Sequence, residues 1–357
     1  MSDLSQGCWL VTGGLGFIGA QFIRDCLAQL PQLRIVNIDS LSYAASPERL
    51  AGLKDNPRYR FVKGDIAEPA DVQRALAACR ELAGAGGGCQ AIVNFAAESH
   101  VDRSIFSGLP FVRANTMGVQ VLLEAARALP TDGPHAFKRF LQVSTDEVYG
   151  DIEPPHRSVE TDAIRTSSPY SASKAGGELL VQAFIRTFKF PAVITRCSNN
   201  YGPWHWPEKM IPLFITNLLA GKTVPVYGDG KQMREWIHVQ DHAAGILAAL
   251  LKGRDGEAYN FGGEIEIDNL TVTQALIELA GRDGSAIQYV TDRLGHDRRY
   301  ALNCEKAKRE LGWKAKWTFE SGLKQTFDWY VTHADWLKAV LDAGYQEYYR
   351  KQYEQRG

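Results

Sequence analysis

The chain has 357 residues, of which 45% are hydrophobic and 23% charged, and its formal charge is −1. A chain of this length can bury one large core and a smaller satellite domain, and a charge so near zero gives no reason to expect nucleic acid as a partner. No apolar run is long enough to span a membrane, and the amino end, with Asp3 and a strand beginning near Cys8, leaves no room for a signal peptide, so no membrane partner is expected and the cytoplasm is the default location.

In chain order, Cys8-Trp9-Leu10-Val11-Thr12 reads as a buried strand, and Gly13-Gly14-Leu15-Gly16-Phe17-Ile18-Gly19 as the turn into a helix running through about Leu30. Gly13, Gly16 and Gly19 recur every three residues. A turn without side chains lets backbone N–H groups approach a pyrophosphate at a helix amino terminus, where the dipole favours negative charge. The next strand, Arg34-Ile35-Val36-Asn37-Ile38, ends at Asp39, at the spacing of an acid that binds the adenosine ribose hydroxyls. Its charge repels a 2′-phosphate, so NAD is expected rather than NADP.

Phe61-Val62-Lys63-Gly64 leads to Asp65 and Ile66, suited to an adenine contact. Gly84 to Gly88 reads as a flexible linker without phosphate-binding context. Ala91-Ile92-Val93-Asn94-Phe95 leads to Ala96, Ala97, Glu98, Ser99 and His100. Ligands of an open parallel sheet gather beyond the carboxyl ends of its strands, which is where these groups fall, although His100 alone would read as an ordinary loop histidine. Cys8, Cys26, Cys79, Cys89, Cys197 and Cys304 are scattered without a CxxC pair, so neither a disulfide framework nor a metal site is expected.

The run Phe140-Leu141-Gln142-Val143 opens into Ser144-Thr145-Asp146-Glu147-Val148-Tyr149-Gly150, and Ser167-Ser168-Pro169 introduces a helix carrying Tyr170 and Lys174. Oxidising an alcohol by hydride transfer needs a base for the hydroxyl proton. A tyrosine phenol, ordinarily titrating at about 10, serves if a nearby cation pulls it toward neutrality, and positions i and i+4 share a helix face. Ser144 or Thr145 would donate to the developing alkoxide or carbonyl. Exposed Tyr-Lys pairs at this spacing are common and loop Asp-Glu pairs are usually solvated, so the order of the elements carries the reading. A simple dehydrogenase has no use for Asp146 and Glu147. A ketone acidifies the neighbouring carbon, so one carboxylate takes that proton while the other, held protonated, gives a proton to a departing hydroxyl.

Strand-like runs alternate with helix-length segments to about residue 196, which implies an α/β fold with a doubly wound parallel Rossmann sheet. Beyond it the pattern turns irregular and rich in Trp, Pro and Gly. The expected division is a NAD-binding domain over 1–200, with a return near 235–263, and a smaller, mostly C-terminal substrate-binding domain over 201–234 and 264–357. Asn199, Asn200, His205, Lys209, Arg234, Asn269, Arg293 and His296 sit in loop-like contexts of that distal half. Arg234 and Arg293 are the preferred diphosphate ligands because a guanidinium offers a planar fork to phosphate oxygens. Tyr227, within Pro225-Val226-Tyr227-Gly228, suits a base or ribose contact.

The motifs TGGLGFIG, NIDSLSYA, FAAESHVDRSI, STDEVYG, SPYSASKA, TRCSNNYGPWHWPEKMIPL, VYGDGKQMREWIHVQDH, DRLGHDRRYALN and KRELGW run almost throughout the chain. Together they resemble the nucleoside-diphosphate-sugar branch of the extended short-chain dehydrogenase/reductase family, and within it the dTDP-glucose 4,6-dehydratases. The resemblance implies that Tyr170 is the base for the sugar 4-hydroxyl, Lys174 its partner and Thr145 the hydrogen-bond donor to that oxygen. It implies that Glu147 removes the C5 proton and Asp146 protonates the departing C6 hydroxyl, giving a 4-keto-6-deoxy sugar nucleotide and water, with NAD regenerated each turn. Phe17, Ile18, Asp39, Asp65, Ile66, Tyr170, Lys174 and Asn200 are implied near the cofactor, with Gly13, Gly16, Gly19, Ser40, Leu41, Ser42, Ala96 and Ala97 completing that set. His100, Thr145, Asn199, Lys209, Met210, Pro225, Tyr227, Arg234, Asn269, Arg293 and His296 are implied near the nucleoside-diphospho-sugar. Helices over 110–129 and 168–189 resemble those that pair across the dimer interface of relatives, so a homodimer is expected. There are departures from the family pattern: Leu294 replaces a common proline, Ala44-Ala45-Ser46 follows Tyr43 where a glycine is usual, and Gly176-Gly177 interrupts the catalytic helix. The choice among dTDP, UDP and CDP stays open at this point, as do a nucleotide-sugar epimerase or decarboxylase and a non-catalytic NAD-binding regulator.

Overall fold

The apolar runs fold into seven parallel strands: β1 (Gly7–Thr12), β2 (Leu33–Asp39), β3 (Tyr59–Lys63), β4 (Cys89–Asn94), β5 (Arg139–Thr145), β6 (Ala192–Cys197) and, later in the chain, a seventh at Ala258–Phe261. The structure, a computed structural model, describes residues 4–133 and 135–341, so Asp3 and the stretch 342–357 of the expected distal domain lie outside the described residues. Spatially the order is Ala258–Phe261, β6, β5, β4, β1, β2, β3, which reverses direction between β1 and β4. That reversal opens a crevice at the carboxyl ends of the strands, where ligands of doubly wound sheets bind. Side chains alternate along a strand, and here both faces are buried: Trp9 and Val11 join one apolar cluster with Phe22, Ile35, Val93 and Leu141, while Cys8 and Leu10 join another with Val36, Ile92, Val119 and Phe140.

The distal half has a third core, built on Tyr201, Phe214, Trp236, Leu276, Phe327 and Trp336. Its strands are β7 (Asn199–Tyr201), β8 (Val224–Tyr227), β9 (Met233–His238), β11 (Glu266–Asp268) and β12 (Ile287–Val290), with Ala258–Phe261 taking its place in chain order as β10. β9 lies between β7 and β11 in a small sheet, and β12 pairs with β8. The helix Val239–Lys252 and β10 then return to the large sheet, where β10 pairs with β6. Glu235, at the start of the stretch expected to return, belongs to the small sheet.

The catalytic-motif helix spans Pro169–Phe188 and begins with a reciprocal cap between Ser168 and Ser171 and proline in its first turn. Its two glycines are a packing requirement. A Cβ at Gly177 would come within 2.2 Å of the Asn115 carbonyl oxygen on the neighbouring helical stretch, and one at Gly176 within 2.9 Å of the Thr116 hydroxyl. At the same crossing Asn115 Nδ2 donates to Ser173 Oγ at 2.8 Å. All six cysteines are buried and free. Among the described residues no helix is long and apolar enough to cross a membrane and no group of ligating side chains could hold a metal ion.

Gly177→Ala should lower stability by about 1–3 kcal/mol, because the new methyl meets backbone that cannot step aside. Gly176→Ala, facing the movable end of a side chain, should be milder. Thermal denaturation of the two variants checks the ranking.

Candidate active site

Everything the sequence singles out by chemistry meets in one cleft at the carboxyl ends of β1, β2, β4, β5 and β6. Gly13, Gly16, Phe17, Ile18, Gly19, Asp39, Ser40, Ser42, Asp65, Ile66, Ala96, Ala97, Tyr170, Lys174 and Asn200 line it on the Rossmann side. His100, Asn199, Lys209, Met210, Pro225, Tyr227, Arg234, Asn269, Arg293 and His296 line the rest, with Thr145, Asp146 and Glu147 also on its wall. Leu41 is the exception. Its φ is +60°, its amide donates to Asp39 Oδ1 at 2.9 Å and its side chain is exposed, so its place in the site is to shape the turn below the acid.

The glycine turn fits a dinucleotide. Gly13 has φ +65°, and a Cβ there would sit 2.7 Å from the backbone of Ala96. The helix Phe17–Gln29 starts at Gly16 without a side-chain cap, which leaves its first amides available to phosphate. Asp39 is buried, and its carboxylate accepts from the amides of Leu15 and Leu41, both at 2.9 Å. Burial raises its pKa while those two amides oppose the rise, and each oxygen retains a lone pair for a ribose hydroxyl.

β5 carries Ser144 and Thr145 to the cleft, and the tight turn Asp146–Tyr149 follows directly. Thr145 Oγ1 caps that turn by accepting from the Glu147 amide at 3.3 Å and donates to Asp146 Oδ1 at 3.1 Å. The two adjacent acids meet different surroundings. Burial holds the Asp146 carboxyl well above the usual carboxylate range, and the negative charges of Glu147 and Glu235 push it further. Its Oδ2 is buried with no hydrogen-bond partner among the described residues. Burial also raises Glu147, but Arg293, Lys209 and Arg234 draw it back toward the ionised form. Burial thus favours the neutral form of Asp146 the more strongly, whereas Glu147 is faced by three cations.

Tyr170 is buried and its phenol is pushed well above its ordinary value by burial and by Glu147 and Cys197, with the Thr145 hydroxyl pulling the other way. Lys174 corrects the spacing argument. Its ammonium donates to the Val143 carbonyl at 2.7 Å and is not among the groups that dominate the phenol's environment. The helix does put both residues on the cleft wall, but the carbonyl at the end of β5 captures the amine. Burial lowers the Lys174 pKa to about 8.

A bidentate ion pair behind the acids joins Arg196 of β6 to Glu178 of the catalytic helix. Arg196 also donates to the Tyr149 hydroxyl at 2.6 Å, and that hydroxyl donates to Asn260 Oδ1 of β10 at 2.8 Å.

On the distal wall, Arg234 donates to the carbonyls of Met233 and Asp297, both at 2.8 Å, and lies 4.4 Å from the centre of the Tyr300 ring. Arg293 Nε is buried without a hydrogen-bond partner among the described residues, and Asp102 and Glu147 outweigh the effect of burial to keep this guanidinium charged. His296 Nδ1 meets Asp292 at 2.6 Å and packs edge-on against Tyr227. Lys209 donates to the Ser99 carbonyl at 2.6 Å. The sequence reading passed over Arg49, Asp102, Trp206 and Tyr300, which also line the cleft. Tyr300 sits inside the motif DRLGHDRRYALN and was within reach, whereas Arg49 follows Pro47-Glu48 in what reads as an exposed helix start.

Over residues 10–326 the chain matches the family described as GDP-mannose 4,6 dehydratase. It is 48% identical to a dTDP-glucose 4,6-dehydratase of Xanthomonas campestris pv. campestris, across 95% of this chain and 97% of that protein. With dTDP-glucose 4,6-dehydratase 1 of Escherichia coli K12 the identity is 44%, across 97% and 99%. The crystal structure of a dTDP-glucose 4,6-dehydratase from Streptomyces venezuelae with NAD bound is similar with a TM-score of 0.86 at 44% identity, covering 93% of this chain and 99% of that one.

Two outcomes test the cleft. Gly13→Ala, which needs a strained φ and collides with Ala96, should abolish retention of NAD through purification, read from the absorbance of denatured protein. The second concerns acid stability. Burial lowers the pKa of His100 and of His242 from 6.5 to about 3 in the folded protein. Below pH 6.5 the unfolded chain therefore takes up protons that the folded one refuses, and stability falls by about 1.4 kcal/mol per pH unit for each such histidine. Melting temperature should begin to drop as pH falls through 6.5, an effect that buried carboxyls such as Asp146, raised in the folded protein, oppose in part.

Proposed function

The chain belongs to the dTDP-glucose 4,6-dehydratase family of the extended short-chain dehydrogenases/reductases, and on that premise we propose that it converts dTDP-glucose to dTDP-4-keto-6-deoxyglucose and water, as an NAD-dependent hydro-lyase. NAD, when bound, would supply reversible two-electron chemistry, so that no coenzyme is consumed over a turnover. Gly13, Gly16 and Gly19 with the amides at Phe17 and Ile18 hold its pyrophosphate, Asp39 its adenosine ribose, and Asp65 and Ile66 its adenine. Tyr170 receives the proton of the 4-hydroxyl, Thr145 donates to the resulting carbonyl oxygen, and Lys174, its ammonium anchored on the Val143 carbonyl, stands on the same wall toward the cofactor. Glu147 takes the proton from C5, which the 4-ketone has acidified, and Asp146 gives its proton to the departing C6 hydroxyl. Arg234 and Arg293 bind the diphosphate, with Tyr227 and His296 toward the nucleoside.

One observation carries the choice of an elimination over a simple epimerisation: Asp146 and Glu147 are neighbours in one turn, yet Asp146 Oδ2 is buried without a hydrogen-bond partner among the described residues and burial favours its neutral form, while Arg293, Lys209 and Arg234 oppose the effect of burial on Glu147. An epimerase moves a hydride and one proton and has no use for that pair. The NAD-binding part, 1–200 with the return at 235–263, performs the proton transfers, and the part comprising 201–234 and 264–357 selects the nucleotide. The enzyme works in the cytoplasm as a homodimer, a reading supported by exposed Leu109, Val112, Met117, Leu179 and Phe188 along the helices expected to pair.

Incubation of a panel of nucleoside-diphospho-glucoses in heavy water tests the reaction. The expected product, best from dTDP-glucose, carries a C6 methyl group and deuterium at C5; a C4 epimer with its C6 hydroxyl intact overturns the reading. Tyr170→Phe should abolish the first oxidation. Glu147→Gln should still reduce the cofactor on mixing with substrate, seen at 340 nm, but lose product formation by about 10²–10⁴-fold. Asp146→Asn should be rescued by a good leaving group at C6, and absence of rescue assigns the acid elsewhere.

A further inference from the structure

Arg49 is a buried cation on the turn Pro47–Leu53, 2% exposed. No carboxylate forms an ion pair with it among the described residues, and its donors are spent on backbone carbonyls. Nη1 donates to Leu15 O at 2.6 Å and to Ala44 O at 2.7 Å, while Nη2 and Nε donate to Trp204 O at 2.8 and 3.2 Å. Three separate segments meet at this one guanidinium. Leu15 belongs to the glycine turn, Ala44 to the loop that follows Asp39 and lines the cleft, and Trp204 to the distal half, where it packs on Trp329 and Trp336. A guanidinium taken out of water without a direct ion pair is expensive, Asp39 and Glu48 attracting it only from beyond salt-bridge contact, and its retention implies a demand for its shape, since a planar five-donor fork can join three carbonyls at once.

Neighbouring contacts close the same seam. Phe17 stacks on His205 with ring centres 4.2 Å apart and planes 13° from parallel, so the first residue of the glycine-turn helix is covered by the distal half. The Ser46 amide donates to Leu15 O at 3.0 Å, and Trp336 Nε1 donates to Ser46 Oγ at 3.2 Å. All of this lies on the adenosine side of the cleft, between Asp39 and the distal wall, and none of it touches the acids or Tyr170.

We propose that Arg49 is a latch: by tying the glycine turn, the loop after Asp39 and the Trp204 segment together, it keeps NAD in place between turnovers. The proposal rests on the NAD-dependent dehydratase reading and adds to it the residue that makes the coenzyme captive. A reaction that borrows and returns its electrons gains nothing from releasing the dinucleotide, and a seam built from neutral carbonyls leaves the pyrophosphate and acid sites free to do the binding.

The test compares the purified wild type with Arg49→Met, Arg49→Lys and Ser46→Ala. NAD content after extensive dialysis and the rate of NAD loss into an excess of a competing coenzyme analogue are measured, with circular dichroism as a check on folding. Wild type should retain NAD, Arg49→Met should lose it at least about tenfold faster, Arg49→Lys should resemble Met because an ammonium cannot span the three carbonyls, and Ser46→Ala should accelerate loss about two- to fivefold, on the order of one hydrogen bond. If Arg49→Met does not fold, Ser46→Ala decides alone. Folded Arg49→Met with wild-type NAD retention, or Ser46→Ala with an unchanged rate, overturns the latch while leaving the dehydratase reading intact. A wild type that does not form the 6-deoxy product undermines that reading whatever the variants do.

Discussion

The buried ion pair between Arg196 and Glu178 is the constraint on which the geometry of the site depends. A charged pair removed from water survives only if its remaining donors and acceptors are also met. Here Arg196 binds both oxygens of Glu178, the hydroxyl of Tyr149 and the carbonyl of Glu160. Tyr149 in turn donates to Asn260, whose side chain reaches the Ser158 carbonyl. Four elements are therefore locked together: the turn that bears Asp146 and Glu147, the helix that bears Tyr170 and Lys174, β6 and β10. Asn115 secures the other side of that helix through Ser173, close enough that only glycine fits at Gly177. Position along two rigid supports, rather than loop plasticity, sets how far the acids stand from the tyrosine.

On that frame a single peptide step separates the two carboxyl groups for which opposite tasks are proposed. Their intrinsic chemistry is the same, so their surroundings must distinguish them. Asp146 points into a desolvated setting with Glu147 and Glu235 near, and Glu147 looks toward three cations contributed by the distal half. If Arg234 and Arg293 bind the diphosphate as proposed, they and Lys209 serve two purposes, attracting the substrate and opposing the effect of burial on Glu147, which would couple substrate binding to proton removal.

Much of this was legible in the chain. The glycine turn, the acid ending β2 and the sheet's apolar runs are local patterns with local causes, and the strand ends fell where they were expected. The acids and Tyr170 were legible because a motif keeps them contiguous with the strand or helix that positions them. What escaped was set by tertiary contact. Lys174 shares a helix face with Tyr170, but nothing in the spacing foretells that the Val143 carbonyl will take its ammonium. Leu41 sits among cofactor-loop residues, and nothing in the spacing foretells the left-handed backbone angle that directs its amide to Asp39. Arg49 offers no periodicity and no motif; its importance appears only once Leu15, Ala44 and Trp204 have converged on it.

The groups proposed to handle protons all stand on the large sheet, the turn that follows β5 and the catalytic-motif helix, whereas Tyr227, Arg234, Arg293 and His296 arrive from separate strands and loops beyond residue 200. Such a partition is not a clean one: Lys209, Arg234 and Arg293 of the distal wall also face Glu147, so drift that retunes which nucleotide is admitted alters the charge around the acid turn as well.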